Sequence, residues 1–271
     1  MKKKIVLMLT VIMLIGLAGC GKNQINIKET GTSDNNEQMV QNIYENKRTE
    51  VKQKISEIKE RLPETSAEDK GTCGSKAKWY YKDNTLIIYG EGVITEDTWH
   101  KSNIVINTVV IDSGITKLGN NMFSGLGSEV GKNIENFYIA DGLEEIGSST
   151  FVNCDCLSEI VLPPSLYFID GYTFASCDSL KKIYMTDGVE KIGDSAFTGC
   201  KSLESIFIPK TVRAIGNGVF TGCNNLSDIQ ISKDNRIFSE KNNCIINNDT
   251  KTLIYAINKD FSIPDDILCI A

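Results

Sequence analysis

Residues 197–223 read FTGCKSLESIFIPKTVRAIGNGVFTGC, a segment that opens and closes on the same four letters. The chain returns to the phrase after 23 residues, and it does so repeatedly. Segments of that length start at Phe137, Ile160, Ile183 and Ile206: FYIADGLEEIGSSTFVNCDCLSE, IVLPPSLYFIDGYTFASCDSLKK, IYMTDGVEKIGDSAFTGCKSLES and IFIPKTVRAIGNGVFTGCNNLSD. A further copy begins IQISKDN at Ile229 and then diverges. An earlier one, VVIDSGITKLGNNMFSGL, begins at Val109 and is followed by a five-residue insertion.

One such unit has an apolar edge that it cannot bury alone. Stacked copies set Ile on Ile and Phe on Phe and close a continuous core. A fixed period of roughly 20–29 residues on a Leu/Ile lattice is the signature of a leucine-rich-repeat solenoid. The expected fold class is therefore α/β, β-rich, with short strands stacked in parallel ~4.8 Å apart. Within one copy, Leu180, Ile183 and Met185 should point inward from a strand. Val189 and Ile192 follow after a turn at Thr186-Asp187-Gly188. Asp194–Phe197 is expected to form a single helical turn, with Phe197 plugging the core. Upstream, Ala77–Tyr81 and Thr85–Tyr89 flank Lys82-Asp83-Asn84, a β-hairpin pattern that would cap the open end of the first coil.

The phrase best seen at Val189–Leu203, I-x-x-I-G-x-x-A-F-x-x-C-x-x-L in its general form, resembles the BspA-type leucine-rich repeat of bacterial surface proteins. Gly71-Thr72-Cys73-Gly74, Trp79, Leu86–Gly90 and Trp99 resemble the segment that precedes such repeats. The resemblance spans residues 71–270. It implies surface display, adhesion and host-protein binding, without a fixed binding motif.

The N-terminus has its own logic. Lys2, Lys3 and Lys4 precede an apolar run from Ile5 to Leu17, too short to span a bilayer comfortably, which ends in Leu17-Ala18-Gly19-Cys20. This resembles a bacterial lipoprotein signal with its lipobox. The resemblance implies cleavage before Cys20 and a diacylglycerol on its sulfur, so that the mature chain is anchored to the membrane rather than spanning it. The alternative is an ordinary secretory signal with a chance cysteine. The expected organisation is a signal at 1–19, a flexible tether at 20–36, an amphipathic helical stalk at 37–63, a linker at 64–72, an N-terminal cap segment at 73–108 and the solenoid at 109–271, with its last repeat incomplete. In the stalk, Val51, Ile55, Ile58 and Leu62 form one narrow apolar stripe, with Met39 and Ile43 upstream, and Pro63 ends it. The helix is a short coiled coil or spacer that lifts the next domain off the membrane, or it packs on the domain, or it is only partly formed.

Nine cysteines in an exported chain suggest a disulfide framework. Here, however, Cys154, Cys177, Cys200 and Cys223 are one repeated position, and the first copy fills that slot with Leu126. An apolar slot favours buried thiols; adjacent coils also lie within disulfide reach, so bridges stay open. Cys154-x-Cys156 lacks the spacing of a structural zinc site. No metal, cofactor or catalytic set is expected. His100 is the one histidine, and no nucleophile–base arrangement or phosphate loop accompanies it. A net charge of −6 argues against nucleic acid as partner.

The remaining candidate is a surface. Between the core positions of successive strands, the outward residues are Tyr138, Val161, Tyr184, Phe207 and Gln230. They would form an apolar, aromatic column on the concave face, a contact site for a host or bacterial surface protein or glycan. The same residues also suit cross-strand packing for its own sake. After Ile229, Cys244–Ile246 and Leu253–Tyr255 read as a hairpin inserted in the coil, and the phrase restarts at Phe261-Ser262-Ile263-Pro264. The chain stops partway through that coil. A truncated frame, a short natural end and an end that docks on another chain all fit, and Cys269 is expected to face solvent. The expectation for the whole is a non-enzymatic binding module, lipid-anchored at Cys20 in the bacterial cell envelope and facing outward, with an envelope scaffold or a glycan-acting enzyme as alternatives.

Overall fold

A computed structural model describes residues 33–101, 104–125, 129–257 and 262–270. The signal, Cys20, Leu126 and Phe261 lie outside the described residues. Helix α1 spans Ser33–Arg61. The N-terminal cap has three antiparallel strands, β1 (Asp69–Thr72), β2 (Lys76–Lys82) and β3 (Thr85–Ile94). The β2–β3 turn is tight because Asp83 and Asn84 both take positive φ, 49° and 55°, the geometry that matches the twist of a two-residue hairpin. β1 occupies part of the expected 64–72 linker.

Two parallel ladders follow. The front ladder contains β4 (Thr108–Ile111), β6 (Asn136–Ile139), β8 (Glu159–Val161), β10 (Lys182–Tyr184), β12 (Ser205–Ile208) and β14 (Asp228–Ile231), hydrogen-bonded as three groups, β4 with β6, β8 with β10 and β12 with β14. The flank ladder contains β5 (Ile115–Leu118), β7 (Glu145–Ile146), β9 (Phe168–Ile169), β11 (Lys191–Ile192) and β13 (Ala214–Ile215). β3 starts both. Thr85–Ile88 pairs with β4, and Gly92–Ile94 pairs with β5. The strand turns the corner at Gly90 and Gly92, whose φ values of 100° and 88° are closed to residues with a Cβ. Register follows the repeat: Ile160 lies opposite Ile183, Ile206 opposite Ile229, and Ile146 opposite Ile169. Between the first copy and the next lies a short helix, α2 (Glu129–Lys132).

The core is a stack of rings. Phe123, Phe151, Phe174, Phe197 and Phe220 lie nearly parallel, with interplanar angles of 8–14° and centroid spacings of 5.0–5.9 Å. Trp99 extends the stack by 5.4 Å at the cap end, and Tyr255 closes the other end edge-on. Beside the rings, the column cysteines are free thiols. Each donates to the phenylalanine carbonyl of the coil before: Cys177 to Phe151 O (3.0 Å), Cys200 to Phe174 O (3.0 Å), Cys223 to Phe197 O (3.1 Å). Burial pushes the Cys177 thiol well up from its ordinary value. For Cys200 and Cys223, hydrogen bonding to the preceding thiol raises it first and burial second. These sulfurs stay protonated and fill space.

The expected helical turn before each phenylalanine is instead a run of hydrogen-bonded turns. One slot in it has positive φ in every copy, at Asn121, Ser149, Tyr172, Ser195 and Gly218. A left-handed residue breaks helical continuation. Past β14 the chain forms β15 (Phe238–Lys241), β16 (Cys244–Asn247) and β17 (Thr252–Ala256), an antiparallel meander containing the expected hairpin; β18 (Cys269–Ile270) pairs in parallel with β17.

Phe197 sits mid-stack and fully buried. Phe197→Ala should cost about 3–5 kcal/mol, because neighbouring coils tied by backbone ladders cannot close over the gap. Urea unfolding followed by circular dichroism measures it.

Candidate functional site

The outward-facing column of the front ladder is not open surface. α1 lies along it, from the last coil back to the cap. Glu37 accepts a hydrogen bond from the Ser232 hydroxyl just after β14, at 2.5 Å. Four residues on, Gln41 accepts from Thr186 after β10. Tyr44 then donates to Leu162 O at 2.8 Å, and Arg48 to Ile139 O at 3.0 Å. Lys59 pairs with Asp112 at 2.5 Å, and Leu62 O, just past the helix, accepts from the Tyr80 hydroxyl at 2.9 Å. The helix thus runs opposite to the order of the repeats.

The two apolar stripes visible in the sequence meet each other. Val51, Ile55, Ile58 and Leu62 pack in one cluster with Val161, Tyr138 and Tyr184 of the column. Of the alternatives for residues 37–63, the structure has the helix packed on the domain. Val161 is buried, and Tyr138 and Tyr184 are half-buried. Phe207 and Gln230 are also half-buried, but they line a cavity of about 580 Å³ with Glu37 and Asp228, beside the first turns of α1.

Sequence reasoning missed Tyr44 and Arg48 on the helix, and Tyr80, Ile87 and Val110 at the cap end of the column. A signal for the last two was present. Leu86-Ile87-Ile88 and Val109-Val110-Ile111 are apolar on both strand faces. A strand half exposed to water alternates; one covered on both faces does not.

Polar contacts set the register of the helix. The buried Arg48 guanidinium donates to Asp141 at 2.6 Å, and Lys52 pairs with the other oxygen of that carboxylate at 2.7 Å. Partial burial alone would raise the Asp141 pKa, but the hydrogen bonds from Lys52 and Arg48 outweigh it and hold the carboxyl below its ordinary value. Lys47 bridges to Glu159 at 2.9 Å. His100 is held by Asp97 at 2.6 Å, next to Trp99, in a cap role. Among the described residues, no group of three or more His, Cys, Asp or Glu side chains is placed to hold a metal ion. Among them too, no helix is long and apolar enough to cross a membrane.

Comparison with known proteins agrees with this geometry. Residues 129–249 match the sequence model of the BspA type leucine rich repeat region, in 6 copies. Over that span the chain is similar to BspA-type leucine-rich repeats. It is similar in structure to a leucine-rich repeat protein from Eubacterium ventriosum (TM-score 0.64, 22% identity), covering 74% of this chain and 55% of that one. It is also similar to the pneumococcal vaccine antigen PcpA (TM-score 0.56, 17% identity, 76% and 61% covered). A third likeness is to a leucine rich cell surface protein from Faecalibacterium prausnitzii (TM-score 0.51, 20% identity, 75% and 66% covered). At these identities the likeness is one of fold. The chain spans between 55% and 66% of the length of these three proteins. No curated protein matches the chain.

Docking of α1 rests on the Arg48–Asp141–Lys52 contact. Arg48→Ala should weaken it by about 1.5–3 kcal/mol, the range for a hydrogen bond to a charged group. Amide exchange in α1 should then rise about 10-fold or more while the flank-ladder amides keep their protection. The folded Asp141 pKa lies below the unfolded value, so this stabilisation is complete above the ordinary carboxylate range of ~4 and is lost as pH falls through the depressed value. Acidification below about pH 4 should therefore loosen α1 in the unaltered chain as well.

Proposed function

We propose that the chain is a lipid-anchored, outward-facing binding module of the bacterial envelope whose partner is a surface protein or glycan of the host or of a bacterium. The solenoid fold, the lipobox-like Leu17–Cys20 and the acidic charge support the reading. One observation carries it. Phe207 and Gln230 are half-buried and line a cavity of about 580 Å³ together with Glu37 of the helix. A partner would contact this composite end, built from strands and helix together, rather than a bare concave sheet. Burial of Val161 and half-burial of Tyr138 and Tyr184 under α1 favour a second reading, a structural envelope scaffold without a ligand on that face. Neither reading includes catalysis.

Phe207→Ser should reduce binding to host cells and purified matrix proteins about 10-fold with the circular dichroism spectrum and melting temperature little changed. Equal binding by a folded variant would move the weight to the scaffold reading. Anchoring has its own check: cells fed radiolabelled palmitate should label the chain, and Cys20→Ser should abolish both the label and membrane retention.

A further inference from the structure

Among the described residues no helix covers the flank ladder, and one of its coils departs from the others. At the outward slot of β9 stands Phe168; the matching positions are Lys117, Glu145, Lys191 and Ala214. The residue before it is Tyr167, where the sister copies have Thr116, Glu144, Glu190 and Arg213. At the positive-φ slot the same coil has Tyr172, where the others have Asn121, Ser149, Ser195 and Gly218. Asn, Ser and Gly suit a left-handed backbone, whereas a bulky aromatic there is an outlier. Tyr172 is held at φ 56° with its side chain half in water. Tyr167 and Tyr172 are the most exposed aromatics among the described residues, 42% and 51% accessible. A residue that is strained in backbone and exposed in side chain contributes little to the core, which points to a role in contact.

Phe168 and Tyr172 line a groove of about 370 Å³ together with Asp170, Lys191 and Asp194. Its size falls in the ordinary range for small-molecule sites. The carboxylates are fixed in place. Asp170 accepts from its neighbour Gly171 N (2.7 Å), and Asp194 from Asn217 N of the next coil (2.8 Å). The second oxygen of each makes no hydrogen bond within the described residues and is left to accept. Lys191 Nζ sits 4.8 Å over the Phe168 ring, already filling the place a cation would take on that face. A cationic ligand would meet Lys191, and an anionic one would meet two carboxylates. An uncharged ligand with many hydroxyl donors and a flat C–H face matches both the acceptors and the free Tyr172 ring.

We propose that Tyr172, Phe168, Asp170, Asp194 and Lys191 form a binding groove for a neutral saccharide on the flank ladder, with Tyr172 as the stacking platform. This site is separate from the cavity beside α1 and does not depend on a partner there.

The test is calorimetric titration of the full chain with neutral tetrasaccharides (maltotetraose, cellotetraose, laminaritetraose and mannotetraose) and with acidic tetragalacturonate. At least one neutral sugar should bind. Tyr172→Asn, which installs the residue of the first copy, should weaken it at least 10-fold while the melting temperature holds or rises. Phe168→Lys, also a sister-copy residue, should weaken binding in the same direction and keeps the test open if the first variant misfolds. No binding by any neutral sugar, binding of the acidic sugar alone, or undiminished affinity in a folded variant would overturn the proposal.

Discussion

Ring-on-ring stacking along the solenoid axis is the constraint that everything else obeys. Five phenylalanines repeat at spacings of 5.0–5.9 Å with planes within 14° of parallel. That pitch is close to the ~4.8 Å separation of hydrogen-bonded strands, so the ladders and the rings reinforce one spacing. A coil that changes length between its phenylalanine and the next must still keep both pitches. The long interval from Phe123 to Phe151 keeps the stack, at 5.9 Å, with α2 inside it. The thiol ladder obeys the same pitch. Each buried sulfur reaches the carbonyl one coil back, which leaves no cysteine of the column available as a nucleophile.

Covering the front ladder is the second determinant. Outward-facing Ile87, Val110 and Val161 would each present aliphatic surface to water if the helix were absent. α1 removes that surface and supplies charges for Asp112, Asp141 and Glu159. The face of the repeats that resembles a binding surface is in this chain largely an intramolecular interface. Its last-coil end borders the cavity beside the first turns of α1, and among the described residues the flank ladder has no helix over it.

Much of this was legible in the letters. The 23-residue return implied stacked coils, and Phe151, Phe174, Phe197 and Phe220 stand where that reading put them. The Lys82–Asn84 turn and the hairpin after Cys244 were visible from turn residues and flanking apolar runs. The partnership of helix and column was not. Periodicity says that a face is apolar, but not what covers it, so Val51–Leu62 and Tyr138–Tyr184 read as two separate features. The left-handed slot was hidden as well, since Asn, Ser, Tyr and Gly share no chemistry that a pattern would flag. Strand β1 was missed because Asp69-Lys70-Gly71-Thr72 has no apolar alternation; it forms as an edge on β2.

The direction of α1 has a geometric corollary. Its first turn rests on the last coils and its final turn on the cap. A lipid on Cys20 would be joined to that first turn by only 12 intervening residues, about 40 Å of chain at full stretch. The meander end of the molecule would then sit nearest the bilayer, and the three-stranded cap would stand farthest into the surroundings, inverting the upright arrangement that a stalk would impose.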